Sequence, residues 1–279
     1  VATFATSDQL LVIIDPAARQ TDGESVRIAK DVLSAGATTK VCLPESPEEF
    51  ARVLARRGSR RPVVVGDDGA LIRAVTFLHR QRELAGCVLS MVPVGGALGV
   101  AHALGVPTGA VAAARTVLDG VERRMDLLVD DSDGVVLGAL RIPPLAAVAE
   151  AGEPAAARGW LRPYQTLVRS LSARPAPAGP RPGPTRLRVE VDGETVVDLD
   201  QPVEGISVTP GGLDGLAEVE VRPASVGAEA TPVRATGRTV TVTGADFRYR
   251  ADVGVTGPVR RRTWRVVEDA WGLTVPGGS

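Results

Sequence analysis

The chain has very little lysine. Only Lys30 and Lys40 occur among its 279 residues, so arginine carries nearly all of the positive charge, a bias expected of GC-rich coding rather than of any chemistry. Cysteine is equally scarce. Cys42 and Cys87 are too few for a disulfide framework, and both lie in or beside apolar stretches, where a small buried thiol is the expected state. The two histidines, His79 and His102, fall in helical patterns, and without a Cys/His cluster a structural zinc is not indicated. No serine sits in a G-x-S-x-G turn, which removes the hydrolase elbow. No apolar run approaches the roughly 18 to 20 residues that span a bilayer. The first residues lack a basic segment followed by a cleavage site, and the expectation is a cytoplasmic protein with at most peripheral membrane contact. Excess charge is absent too. The 32 Lys and Arg residues nearly balance 33 Asp and Glu, a net charge of -1 that calls for no nucleic acid or polyanionic partner.

What is present is an ordinary globular composition, 44% apolar, in a chain long enough for two domains. Strand and helix signals alternate through the first half. Apolar runs at 9–15, 39–44, 63–65 and 87–94 read as strands, and helical spacing appears at 22–34, 46–58, 70–84 and 99–104. Ser46 at the N-cap, Pro47 just inside and Gly58 beyond the last turn bracket the second of these helices. Such β-α-β-α alternation predicts a mostly parallel sheet with helices on both faces, and ligands gather at the C-terminal ends of its strands. Beyond about residue 123 the pattern changes to short alternating strands separated by Gly, Pro and Asp turns, which predicts an antiparallel β-rich domain. The expected division is therefore an α/β nucleotide-binding-like domain over 1–122 and a β-rich domain over 123–279. A helical stretch at 159–172 precedes a proline-rich run, 173–184, read as a surface loop or linker. Asp130–Asp133 reads as a hairpin turn, and Arg260–Arg265, which interleaves arginine with Trp264, as a solvated strand edge or, second, an anionic membrane contact.

Two glycine turns, each after an apolar run and before a helix, carry the most information: Gly66-Asp67-Asp68-Gly69 and Gly95-Gly96-Ala97-Leu98-Gly99. This arrangement aims backbone N–H groups and a helix N-terminus at a phosphate. Their order and separation resemble the diacylglycerol kinase catalytic-domain family, whose first turn reads GGDGT and whose second reads GTGNDFARxLGIP. The tail of the second turn, Ala101-HALGVP-Pro107, is similar to that family closely. The resemblance extends more loosely through Val117–Leu128, Val189–Asp200, Ile206–Val221 and the terminal Trp271-GLTVP. It implies a two-domain fold of the lipid kinase and NAD kinase-like type, with ATP and Mg²⁺ as cofactors and a hydroxyl of diacylglycerol or a related amphiphile as phosphoryl acceptor. Carried over residue by residue, it implies phosphate contacts at Gly66, Asp67, Gly69, Gly95 and Gly96, metal ligation by Asp68 and Asp214, and catalytic roles for Asp68 and Asp252.

The chain departs from the family where the chemistry lies. Asp67 stands in place of the second glycine of GGDGT, Ala70 in place of its threonine, and Gly254 in place of the glutamate taken as general base. Asp15-Pro16-Ala17-Ala18 keeps only the proline of the family's Asn-Pro-Ser-Gly loop. A carboxylate about 4 Å from a phosphate is opposed by roughly 1 kcal/mol in water and about 4 kcal/mol at an effective dielectric of 20, and losing a general base removes about 10² to 10⁴ in rate. Asp252 or Glu194 are the carboxylates that could replace it. These departures predict a nucleotide- or lipid-binding pseudokinase. The alternative is an active ATP- and Mg²⁺-dependent lipid kinase. Partners would be a nucleotide and a lipid or anionic membrane surface.

Overall fold

The structure is a computed structural model that describes residues 9–144, 184–211, 215–224 and 231–277. The helix expected over 159–172, nearly all of the proline-rich run and Asp214 lie outside the described residues.

The apolar runs of the first half become strands β1 (Leu10–Ile14), β2 (Thr39–Cys42), β3 (Arg61–Gly66) and β4 (Val88–Pro93). They pair in parallel in the order β2-β1-β3-β4. Successive side chains of a strand point to opposite faces, so a strand that is apolar at every position must be covered on both sides. β1 shows this directly. Leu10, Val12 and Ile14 pack in one core with Ala29 and Leu33 of α2 (Gly23–Gly36) and Ala113 and Val117 of α6 (Ala110–Asp119). Leu11 and Ile13 belong to the other core, with Phe50 and Leu54 of α3 (Pro47–Ala55) and Leu71, Val75 and Leu78 of α4 (Asp68–Arg80). As the sequence predicts, Ser46 caps α3 by accepting from the Glu49 N–H at 3.2 Å, with Pro47 in the first turn. Two short helices, α1 (Pro16–Thr21) and α5 (Gly99–Ala103), follow β1 and the second glycine turn.

From β5 (Val121–Asp130) onward the described strands pair antiparallel, with one exception. β6 (Val135–Val136) folds back on β5, and the Asp130–Asp133 segment is the hairpin turn, with Asp130 Oδ1 accepting from the N–H groups of Ser132 and Gly134. β7 (Leu140–Ile142), β8 (Thr185–Val191), β9 (Glu194–Val197), β10 (Pro202–Thr209), β11 (Ala217–Pro223), β12 (Val233–Gly237), β13 (Thr239–Ala251) and β14 (Gly254–Val275) complete the order. Here burial alternates. Ile206 and Val208 of β10 face Val219 and Val221 of β11 in a third core, while the residues between them turn outward. The exception is the end of β14, where Gly272 and Leu273 pair in parallel with Val88 and Leu89 of β4. The C-terminal strand thus returns to extend the first sheet, and the composition change near residue 123 gives no sign of it.

The Arg260–Arg265 stretch differs from the expected solvated edge. Trp264 is fully buried between Val240 of β13 and Asp130 of β5, edge-on to Tyr249 at 5.2 Å, and the Arg262 guanidinium pairs with Asp131. The period of two places residues 262 and 264 on the inward face of a strand that has neighbours on both sides.

Candidate functional site at the glycine turns

β3 and β4 are adjacent and parallel, so both glycine turns open at the same edge of the sheet. They are laced together by backbone hydrogen bonds: Val94 N–H donates to the Gly66 carbonyl at 2.8 Å, and Asp68 N–H donates to the Ala97 carbonyl at 2.8 Å. Crowding accounts for two of the glycines. A Cβ on Gly66 would stand 2.8 Å from Ala70 Cβ and 3.0 Å from Asp15 Cβ. Gly95 has φ +127°, a conformation that side chains avoid, and its Cβ would lie 3.3 Å from that of Asp67. Gly69 faces Asp67 Oδ1 at 3.2 Å, whereas Gly96 faces open space.

Several backbone N–H groups at this edge already have partners. Asp67 is the N-cap of α4, and its Oδ1 accepts from Ala70 N–H at 3.1 Å. Asp68 turns away, fully buried, and receives the first turn of α5: Oδ2 accepts from Val100 N–H at 2.8 Å and Oδ1 from Ala101 N–H at 2.9 Å. Burial raises its carboxyl above the ordinary value, against the opposing pull of those backbone donors. Asp15, also buried, caps α1 by accepting from Ala17 N–H at 2.9 Å and pairs with the guanidinium of Arg73. Arg73 in turn lies over the Phe50 ring, 6.0 Å from its centre. Each of the three helices that start at this edge therefore begins on an aspartate of the chain itself. Four N–H groups that could face a phosphate at this edge, those of Ala17, Ala70, Val100 and Ala101, thus already hold carboxylates.

Asp252 reaches the same neighbourhood from the other half of the chain. It sits at the β13–β14 turn with φ +50°. Its Oδ2 accepts from Leu137 N–H at 2.8 Å, and its Oδ1 from Gly138 at 2.8 Å and Ala139 at 3.0 Å. Burial raises this carboxyl too, the three donors oppose the rise, and the charge of Asp68 adds to it. The link between the two is Gly138, whose Cβ would come within 3.2 Å of Asp252 Oδ1 and 3.3 Å of Val100 Cγ2, in the helix that Asp68 holds. Leu137 and Gly138 also line a cleft of about 750 Å³ shared with Leu104, Arg123, Asp126 and Gly215. Among the described residues no three His, Cys, Asp or Glu side chains are grouped so as to hold a metal ion. Sequence reasoning missed the Asp15–Arg73 pair. An aspartate before proline at the end of a strand is an N-cap signal that could have assigned Asp15, but nothing local marks Arg73, 58 residues away.

Comparison with known proteins bears on this edge. The diacylglycerol kinase catalytic domain model matches residues 9–129, the segment that holds both glycine turns. Over that segment the chain is similar to the diacylglycerol kinase catalytic-domain family. Solved structures of proteins assigned as diacylglycerol kinases from Bacillus anthracis str. Sterne share the fold. One superposes with a TM-score of 0.70 at 11% identity and another with 0.68 at 12%, each covering 96% of this chain and 97% of the other. The comparison with curated proteins gives no match. Among the described residues no helix is long and apolar enough to cross a membrane.

Proposed function

We propose that this chain is a pseudokinase of the diacylglycerol kinase fold, with a parallel α/β half over 1–122 and a β-rich half over 123–279, in which the aspartates of the glycine turns hold the architecture instead of handling phosphate. One observation carries the reading: α1, α4 and α5 each start on a carboxylate, those of Asp15, Asp67 and Asp68. A triphosphate placed on their N–H groups would have to displace the carboxylates or lie against them. The second course costs roughly 1 to 4 kcal/mol per close carboxylate. Of the two candidate bases, Asp252 spends both oxygens on three backbone donors, and Glu194 stands exposed at the start of β9. Ala70, with no hydroxyl, is fully buried. What the fold then offers is binding of a lipid or, weakly, a nucleotide, with phosphoryl transfer lost.

The test is a radiolabel assay with ATP, Mg²⁺ and a panel of lipid alcohols, run beside calorimetry with ATP. The expected result is no transfer above background and an ATP affinity that rises at least tenfold in Asp67→Gly, the amount by which a close carboxylate of about 1.4 kcal/mol would oppose it. Turnover near 1 s⁻¹, about the low end for ordinary enzymes, abolished by Asp68→Ala, would overturn the reading in favour of an active lipid kinase.

A further inference from the structure

The outer face of the antiparallel region carries a row of side chains that none of the above explains. Residues directly opposite one another across antiparallel strands share a face. Register places Arg234 of β12 opposite Glu220 of β11, Glu220 opposite Ser207 of β10, Ser207 opposite Arg141 of β7, Arg141 opposite Arg250 of β13 and Arg250 opposite Val255 of β14. The neighbours of these residues along each strand, such as Ile142, Ile206, Val219 and Val221, are buried in the third core, so the whole row points away from it. A concavity of about 830 Å³ lies along the row, lined by Arg141, Arg222 and Arg234 together with Ser207 and Thr209.

Two features give this face a chemical preference. Its charge is positive in a chain whose net charge is -1: Arg141, Arg222, Arg234 and Arg250 stand against Glu218 and Glu220. Glu220 is already engaged by Arg222 at 3.0 Å and Arg234 at 3.3 Å, and those two arginine side chains remain 68% and 79% exposed. The row also ends on apolar groups. Val253 and Val255, at and beside the β13–β14 turn, are 42% and 50% exposed, and Arg248 nearby is exposed. A soluble polyanion would use the arginines but not the valines. A bilayer with anionic headgroups uses both, since arginines meet the phosphates while the apolar tip enters the boundary beneath them.

We propose that the outer face of β12-β11-β10-β7-β13, with the β13–β14 turn as its apolar tip, is a docking surface for an anionic phospholipid membrane. Its apolar tip adjoins Asp252, and the proposal does not depend on the nucleotide question.

Co-sedimentation of the full chain with vesicles tests this, using phosphatidylcholine alone and phosphatidylcholine with about 30 mol% phosphatidylserine. The expected result is binding to the anionic vesicles only, weakened as salt rises toward about 0.5 M, where the screening length shrinks to a few ångströms. An arginine near the surface is worth roughly fivefold in partitioning, so reversing Arg141 and Arg222 together to glutamate should reduce binding by at least tenfold. Val255→Asp, an exposed site that the fold does not need, should reduce it without changing the circular dichroism spectrum. Arg27→Glu, on α2 and 59% exposed, makes a single charge reversal elsewhere and should leave binding within about twofold. Absence of binding by the unmodified chain overturns the proposal. So does the same loss per reversed charge in Arg27→Glu, which would reduce the effect to net charge, or retention on heparin combined with indifference to Val255→Asp, which would point to a soluble polyanion.

Discussion

Asp68 and Asp252 are held in the same manner, by backbone N–H groups on both carboxylate oxygens, yet the junctions they make differ in kind. Asp68 takes two donors from the start of a five-residue helix and joins two turns at the edge of one parallel sheet. Asp252 takes three donors from the loop 137–139 and fastens a long hairpin to a segment more than a hundred residues earlier. A short helix has a remedy when the acceptor at its start is lost, since its first turn can fray at small cost. Three successive N–H groups gathered on one carboxylate all lose their acceptor at once when it is removed. With three donors against two, the clasp in the antiparallel region is expected to bear more of the stability than the acid at the glycine turns, although the glycine turns carry the family signature.

The largest effect should follow from breaking that clasp. Asp252→Ala leaves three donors without a partner and is expected to cost roughly 3 kcal/mol or more, against about 2 kcal/mol for Asp68→Ala, whose donors number two. Denaturant unfolding of both variants measures the difference. A larger loss in Asp68→Ala would reverse the comparison and place the main fastening at the glycine turns.

The parallel half was the more legible of the two in the sequence, for a physical reason. Its strands are buried on both faces and appear as unbroken apolar runs, and its helix α3 is bracketed by Ser46, Pro47 and Gly58, each a local signal. The Asp130–Asp133 hairpin was legible for the same reason, since the side chain that shapes it bonds within four residues. What could not be read was what each aspartate holds. Asp68 and its donors are 32 and 33 residues apart, Arg73 and Asp15 are 58 apart, and Asp252 lies 113 to 115 residues from the N–H groups it accepts. The family resemblance located these carboxylates, and only the fold showed that their oxygens already have donors. Helix α6 escaped for another reason: Ala110–Asp119 is so rich in alanine that its buried stripe of Ala113, Ala114 and Val117 contrasts little with the exposed face.

An intermediate effect sharpens the comparison from the side of the parallel sheet. Gly66 is a glycine because Ala70 and Asp15 crowd the space where its Cβ would stand. Both neighbours belong to the capped edge, so Gly66→Ala should push β1 and α4 apart and cost about 1 to 3 kcal/mol, the usual range for overpacking a filled site. Gly96→Ala, which meets nothing within 4 Å, should change stability by less than about 0.5 kcal/mol. Thermal melts of the two variants suffice. Equal effects would mean that the edge is loose, and that the aspartates there do not fix it as the hydrogen bonds indicate.

The smallest expected effect tests the antiparallel core next to the clasp. Tyr249, fully buried, donates to Asp130 Oδ2 at 3.1 Å, and its phenol is pushed up to about 12, first by burial and then by the Asp130 charge. Below pH 10 the phenol is protonated in the folded and unfolded chains alike, and its contribution is complete. Between pH 10 and about 12 the unfolded chain releases the proton while the folded chain keeps it, so stability falls as pH rises through that window. Tyr249→Phe should cost about 1 kcal/mol at neutral pH through the lost hydrogen bond, and should flatten the alkaline decline. The chain has two tyrosines, so phenolate absorbance followed on the folded protein should show one of them ionising only near pH 12. If both instead ionise near pH 10 while the protein stays folded, Tyr249 is reached by solvent. The core beside the Asp252 clasp would then be looser than the glycine edge, and the order of the two regions drawn above would be wrong.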